Sequence, residues 1–260
     1  MNTKIFLQNR LSLPLLLALL VWNPLFGQRG ESAKTDQSGV LLFNLSYGGQ
    51  VPGGDLADRF GINGYLGAGL DYLLANNWAF GFEGHILFGS EVKNDVLSIL
   101  RNPEGEIYAD NGTLAEVTLR ERGFYLGAHL GKLIPVSAAN RRSGIRINLG
   151  AGLLQHKVRV QEDPQAFVPQ IAGDNKKGYD RLTNGLALNQ FIGYQYLSKN
   201  RRINFFVGFD LTQAFTQNRR SWNFDTLGVD TAKRLDLLFG FRAGWSLPFY
   251  LGEDPEEIFY

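Results

Sequence analysis

LDLLFGFRAGWSL, residues 235–247, decides the fold of this chain. Every second residue in it is apolar, and most of the residues between are small or charged. Side chains of a β-strand point alternately to opposite sides, so the pattern predicts a strand with one apolar face and one small, polar face. Stretches with the same alternation occur back to Val40, which indicates an all-β chain.

Alternation of this kind gives eight candidate strands. They cover residues 40–49, 61–74, 77–89, 122–134, 144–160, 183–197, 202–215 and 233–249. The connections alternate in length: 75–77, 135–143 and 198–201 are short, whereas 50–60, 90–121, 161–182 and 216–232 are long. Within 90–121, residues 96–100 could form a short helical turn. Short turns at one end and long loops at the other are typical of outer-membrane barrels with an even number of strands.

The two faces of the strands decide between a membrane barrel and a soluble one. In GFYLGAHLG, residues 123–131, the apolar Phe124, Leu126 and Ala128 alternate with Gly127 and His129. A face so rich in glycine is poorly suited to a solvated exterior, whereas small and charged residues suit the narrow interior of an eight-stranded barrel. We therefore predict an eight-stranded antiparallel up-and-down transmembrane β-barrel without a continuous water pore. A soluble barrel with its apolar face inward is the alternative.

Aromatic residues lie near the ends of several strands on the apolar face. Amphipathic rings are favoured where lipid meets water, so we expect these residues to form a girdle. They are Tyr72, Trp78, Phe80, Tyr194, Tyr196, Trp245 and Phe249.

Composition excludes several classes of function. The 260 residues carry a net charge of +1, which gives no reason to expect a nucleic-acid partner. Cysteine is absent, which excludes disulfides, thiolate metal ligands, cysteine nucleophiles and a lipid-modified cysteine.

The ends of the chain carry their own signals. Lys4 and Arg10 precede an apolar run in 13–21, and a small residue follows at Gly27, which is the pattern of an export signal. We expect a signal peptide over 1–27, a periplasmic segment over 28–38, the barrel over 39–250 and an acidic periplasmic tail over 251–260.

Nine ionisable residues fall on the predicted inner face. A buried charge is tolerated when it is paired and hydrogen-bonded, so we expect a luminal charge network with Arg146 and Arg242 as its central donors. Its members are Asp71, Glu83, His85, His129, Arg146, His156, Asp210, Asp236 and Arg242. We interpret the network as a structural plug.

Two more specific interpretations of the histidines, a metal site and a hydrolase site, have less support in the sequence. His85, His129 and His156 lie on the inner faces of different strands near Glu83, a set that could bind a divalent metal. None has a histidine at the spacing that fixes a coordination geometry, so we predict no metal and no cofactor. A hydrolase needs a base and a nucleophile within hydrogen-bond reach, and no serine lies two residues from His129 or His156.

The chain resembles the outer-membrane β-barrel proteins of the Bacteroidota, broadly the OmpA-like and PorT-like small barrels. The resemblance covers about Gly39 to Tyr250 and rests on the strand of 123–131, the closing strand of 237–249 and the exported start at Gln28. It implies an architecture more than an activity, since proteins of this kind serve as structural barrels, surface-binding proteins or parts of secretion and gliding machinery. Two departures are the lack of a peptidoglycan-binding domain and the tail after the last strand.

Our first expectation is a non-enzymatic outer-membrane barrel with periplasmic termini, in contact with outer-membrane lipid and binding through the external loops of 90–121 and 161–182. The second is an accessory subunit of an envelope secretion or gliding complex, with a protein partner held by the loops or the tail. The third is a lipid-modifying enzyme.

Overall fold

A computed structural model of the protein describes residues 39–162, 165–198 and 202–250. The predicted signal peptide, the segment of 28–38 and the acidic tail lie outside the described residues. Within the described ranges, no helix is long and apolar enough to cross a membrane.

Eight strands form a closed antiparallel barrel, and two short strands pair separately. Each barrel strand pairs with the barrel strands that precede and follow it, and β1 closes the ring on β10 from Val40–Tyr250 to Gly54–Asp236. The predicted eight-stranded up-and-down transmembrane barrel is confirmed. The strands are β1 (Val40–Gly54), β2 (Asn63–Leu73), β3 (Trp78–Gly89), β4 (Ile107–Tyr108), β5 (Leu114–Ala115), β6 (Thr118–Ser137), β7 (Asn140–Gln161), β8 (Thr183–Leu197), β9 (Asn204–Asn218) and β10 (Lys233–Tyr250).

We call the end of the barrel that holds Val40 and Tyr250 the terminal end, and the opposite end the loop end. The short connections lie at the terminal end, and the long ones lie at the loop end. The predicted connection of 135–143 is wrong, because β6 and β7 continue to a tight turn between Ser137 and Asn140. Pro135 is accommodated beside an irregularity in the register, a position where a strand tolerates the missing N–H.

Two predicted loops begin later than expected. The predicted loop of 50–60 starts inside β1, whose last residues pair with β10 alone after the pairing with β2 ends at Gln50–Asn63. Pro52 lies in this one-sided part of the strand, where an edge accepts proline. The predicted loop of 216–232 starts inside β9, which pairs with β8 as far as Asn218.

Large apolar side chains cover the outside of the barrel. Leu66, Phe82, Leu126, Leu149 and Phe209 are each more than half exposed, and each alternates along its strand with buried or glycine positions. The sheet therefore presents its apolar face outward, as a lipid-facing barrel does. The soluble alternative, with the apolar face inward, does not describe this protein.

The long connections fold into a cap over the loop end. The cap contains the β4–β5 hairpin and 3₁₀ helices at Ser98–Leu100, Pro169–Ile171 and Gly173–Gly178. The first of these helices accounts for part of the predicted turn of 96–100. The loop side chains that the cap buries are Leu56, Phe60, Val96, Leu97, Ile107, Ala109, Ala115, Ala166, Val168 and Ile171.

Backbone hydrogen bonds join the connections of the cap to one another. The amide of Gly61 donates to Glu91 at 3.1 Å, and that of Asp110 donates to Phe167 at 3.0 Å. These bonds link different loops, so the cap is one folded layer.

A second apolar cluster closes the terminal end of the lumen. Its buried members are Val40, Leu42, Leu73, Ala79, Leu133 and Leu197. Small and charged residues were predicted for the inner face, and they fill the middle of the lumen, whereas its two ends are apolar. Water is kept from the middle charges at both ends as a result.

Candidate functional site

The structure places all nine predicted luminal residues inside the barrel. Each is at most 7% exposed. They form three clusters that follow one another from the terminal end to the loop end. The lower cluster is Asp71, His129 and Arg146; the middle cluster is Glu83, His85, Asp210 and Arg242; the upper cluster is His156 and Asp236.

The lower cluster is centred on Asp71. Arg146 Nη2 donates to Asp71 Oδ2 at 2.5 Å, and His129 Nε2 lies 2.7 Å from Asp71 Oδ1. Asn44 Nδ2 donates to the same carboxylate at 2.5 Å, and Arg146 Nη1 donates to Gln195 Oε1 at 3.0 Å. Side chains from three strands thus hold one carboxylate of β2, which fixes these four strands relative to one another.

The middle cluster is centred on Arg242. Its guanidinium donates to Glu83 Oε2 at 2.6 Å and to Asp210 Oδ1 at 2.5 Å. Tyr65 donates its hydroxyl to the other Asp210 oxygen at 2.8 Å, and the Phe191 ring lies 4.5 Å from the guanidinium. Two carboxylates and an aromatic face therefore surround one buried cation, the arrangement in which a guanidinium tolerates desolvation.

The upper cluster joins the barrel to the cap. His156 Nε2 lies 2.8 Å from Asp236 Oδ2, to which Thr216 donates at 2.5 Å. Phe60, a cap residue, makes a T-shaped contact with the His156 ring at 5.6 Å between centroids. Arg59, also from the cap, donates to Thr183 Oγ1 at 3.0 Å.

Glycines stand opposite the luminal charges on neighbouring strands. Gly81 pairs in register with Asp71 on one side and with His129 on the other. Gly208 pairs with Arg242. Added Cβ atoms would collide with Asp71 Oδ1 at Gly81, and would lie 2.5 Å from His85 Cδ2 at Gly67. Each of these inner-face glycines makes room for a charged or polar side chain of the neighbouring strand.

Several luminal polar residues were not predicted from the sequence, including two amides, a tyrosine and a glutamate. Asn44, Tyr65, Glu121 and Gln195 are all buried and hydrogen-bonded. The period of two would have found three of them: Tyr65 lies six residues before Asp71, and Asn44 and Gln195 lie on inner faces of their strands. Glu121 was missed because the predicted strand began one residue after it.

Little space remains among the charges. The cavity between the lower and middle clusters measures about 20 Å³, which is room for about one water. Among residues 39–162, 165–198 and 202–250, there is no group of three or more His, Asp or Glu side chains that could hold a metal ion. The three histidines are separated into the three clusters, and each meets a carboxylate.

Ion pairs join two connections of the cap to each other. Arg220 Nη2 lies 2.5 Å from Asp180 Oδ2, and Arg181 pairs with Asp225. Burial, joined by the charge of Arg234, lowers the pKa of the Arg59 guanidinium to about 10, so Arg59 is charged at neutral pH. Burial raises the pKa of the Asp230 carboxyl, but hydrogen bonds from the side chain of Arg234 and the amide of Ala232 outweigh it and hold that pKa below its usual value.

The predicted aromatic residues lie on the outer face toward the terminal end. Trp78 and Trp245 are about half exposed, and Lys132 Nζ lies 4.9 Å from the Trp78 ring centroid. At the loop end, the outer positions of β6 and β7 carry arginine and lysine where a second girdle would lie. On β6 and β7, the outer wall therefore differs in chemistry between the loop end and the terminal end.

Comparisons with known proteins find similarity in solved structures alone. No protein-family model matches the chain, and no curated protein does. The attachment invasion locus protein Ail of Yersinia pestis is 12% identical and covers 80% of this chain and 99% of its own, with a TM-score of 0.40. Neisserial surface protein A is 10% identical over 79% and 96%, also with a TM-score of 0.40.

A third similar structure is the outer-membrane protein OprG of Pseudomonas aeruginosa, 11% identical over 83% of this chain and 98% of its own, with a TM-score of 0.38. The chain's fold is assigned from its own strand pairing and lipid-facing surface. The predicted resemblance to barrels of the Bacteroidota is finer than these similarities and stays a prediction.

Proposed function

We propose that this chain is a non-enzymatic outer-membrane barrel whose lumen is closed and whose cap makes its functional contacts outside the cell. The observation that carries the proposal is a folded cap, whose apolar core continues into the upper lumen, above a middle lumen packed with paired charges. Binding residues are commonly carried by loops on a rigid scaffold, and a closed barrel is such a scaffold.

A channel is disfavoured by the packing of the lumen. A conducting path would have to pass the apolar cluster at the terminal end, the three charge clusters and the cap core. The cavity between the lower and middle clusters is only about 20 Å³, which is too small for an ion with its hydration shell to pass.

A lipid-modifying activity is disfavoured by the surroundings of the histidines. His129 and His156 contact Asp71 and Asp236, and His85 stacks on Tyr65 at 4.7 Å between centroids. All three imidazole rings are buried among the packed side chains of the lumen. A catalytic base needs access to a substrate as well as to a nucleophile.

The cap presents large apolar side chains at its surface. Tyr108, Leu114, Phe167, Trp222 and Leu227 are each about half exposed or more. Exposed apolar groups above a buried cap core suit contact with another macromolecule. We propose a cell-surface or envelope protein as the partner of this surface.

The absence of cysteine gives a direct test of orientation. A single cysteine at Asn111, in the exposed β4–β5 turn, should react with a membrane-impermeant maleimide on intact cells. A matched cysteine at Ala138, in the turn between β6 and β7, should react after the outer membrane is permeabilised. Labelling of Ala138→Cys and not of Asn111→Cys on intact cells would overturn the proposal.

A further inference from the structure

Four cations form a patch on the outer wall at the loop end. Arg120 and Arg122 of β6 face outward, because they alternate with the fully buried Glu121. Lys157 and Arg159 of β7 also face outward, alternating with buried residues. We call these four residues the basic wall.

The basic wall places like charges directly opposite each other. Arg120 pairs in register with Arg159, and Arg122 pairs with Lys157. Cross-strand pairs of like charge destabilise a sheet, so two such pairs side by side carry an energetic cost. A ligand that brings negative charge would remove that cost.

The residues that the structure describes do not supply the missing negative charge. Among the described residues, none of these four cations has a carboxylate within ion-pair distance, whereas cations of the nearby cap are paired, as Lys176 is with Glu162. Arg122 donates to the backbone carbonyl of Glu121 at 2.6 Å, while the Glu121 carboxylate points into the lumen. The positive charges of the basic wall are therefore available to an anion from the surroundings of the barrel.

The height of the basic wall matches the edge of the bilayer. Below it on β6, the outward positions from Phe124 to Ile134 are apolar apart from Lys132 at the lower rim. At about 3.3 Å per residue and a tilt of about 40°, this run rises about 25 Å, the height of the apolar band of an outer-membrane barrel. Arg122 and Lys157 come next, at the level of the lipid headgroups.

We propose that the basic wall binds the phosphate groups of an anionic glycolipid in the leaflet around the loop end. Three guanidinium groups offer paired N–H donors that fit phosphate oxygens, and Lys157 adds a point charge. A groove of about 740 Å³ beside Lys157 and Arg159 gives space for a bulky headgroup. This inference rests on the proposed orientation, in which the loop end faces the outer leaflet.

The test compares two fourfold variants of the full chain in detergent micelles. In one, the basic wall is neutralised by Arg120→Gln, Arg122→Gln, Lys157→Gln and Arg159→Gln. In the matched control, the same charge is removed elsewhere by Lys93→Gln, Lys132→Gln, Arg141→Gln and Lys233→Gln. The probe is bisphosphorylated lipid A, and binding is measured by native mass spectrometry and by titration at two salt concentrations.

We expect the basic-wall variant to lose at least tenfold in affinity for lipid A, and the control to stay within about twofold of wild type. Removing both phosphates from lipid A should weaken binding to wild type by a similar factor, and salt should weaken the interaction. Equal binding by the basic-wall variant, or equal loss in both variants, would overturn the inference. Binding of inorganic phosphate as tight as lipid A would also overturn it, as evidence for a free-anion site.

Failure of this inference is distinguishable from failure of the proposed function. Each variant is first checked for a gel shift on boiling, which reports a folded barrel independently of lipid binding. The cysteine labels report orientation on intact cells. Correct labelling with no loss of lipid A affinity would reject the basic wall alone, whereas inverted labelling would reject the orientation on which it rests.

Discussion

At the scale of single residues, the position of a glycine decides what it does. Gly81 faces the lumen, where an added methyl group would collide with Asp71 and lie 2.5 Å from the carbonyl oxygen of Leu70. Gly84, three residues later on the same strand, faces lipid, and its added methyl group would meet Leu126 at an ordinary 3.6 Å. Glycine is therefore required by the packing of the lumen at position 81, whereas the packing around position 84 has room for a larger residue.

Substitution of these two glycines should separate the two environments. Gly81→Ala should lower the free energy of unfolding by about 1–3 kcal/mol, because it overpacks the lower cluster. Gly84→Ala should change it by less than about 0.5 kcal/mol, as a surface substitution does. Urea unfolding of the barrel in lipid vesicles measures both, and equal effects at the two sites would contradict the packing described for the lumen.

A charge on the lipid face should be costly at mid-membrane and tolerated at the rim. Phe241 lies in the middle of β10 and Leu235 near its loop end, and both face outward. Phe241→Arg should cost about 2–4 kcal/mol of unfolding free energy and Leu235→Arg about 0–1 kcal/mol. Wild-type stability of Phe241→Arg in the same vesicles would show that this face does not contact lipid.

At the scale of elements, the strands could be predicted well and the cap could not. The period of two in 235–247 or 183–197 is a local signal, because the lipid face and the lumen impose alternation on each strand. The cap has no such signal. Ile107, Val168 and Ile171 are buried by residues of other loops, and sequence alone does not show which loops meet.

The cap core predicts a local effect of losing one buried side chain. Ile171 is fully buried in the cap. Ile171→Ala should lower the free energy of opening the cap by about 2–4 kcal/mol. Ile99, half exposed in the cap, is the matched control and should have little effect on change to alanine. Hydrogen exchange of peptides from 165–180 should speed up in the first variant with the barrel strands still protected. Unchanged exchange would mean that the cap lacks a cooperative core.

At the scale of the whole molecule, the pattern of charge is layered. Nine charged or ionisable groups could be placed inside the barrel from alternation alone, but their pairing could not. Arg242 meets Glu83 and Asp210 from distant parts of the chain, and this depends on the stagger of all eight strands. The apolar cluster at the terminal end was missed for a related reason: Leu42 of β1 and Leu133 of β6 belong to one cluster only once the ring is closed.

The closed lumen predicts the electrical behaviour of the reconstituted protein. In a planar bilayer, wild type should give no discrete conductance steps, because apolar layers lie at both ends of the charged middle. A porin reconstituted in the same bilayers serves as the positive control. Regular steps that scale with salt concentration would show that the lumen opens in a membrane.

The pairing of glycines with charges also bears on how the strands find their register during folding. A slip of two residues between neighbouring strands keeps every side chain on its own face, so the apolar pattern cannot exclude it. A slip that brought Asp71 opposite Glu83 would set two carboxylates against each other in place of the Asp71–Gly81 pair. The opposite slip would place Gly69 against Gly81 and leave a hole. Charges and glycines in the lumen thus favour one alignment of β2 and β3, whereas contact with lipid alone would accept several.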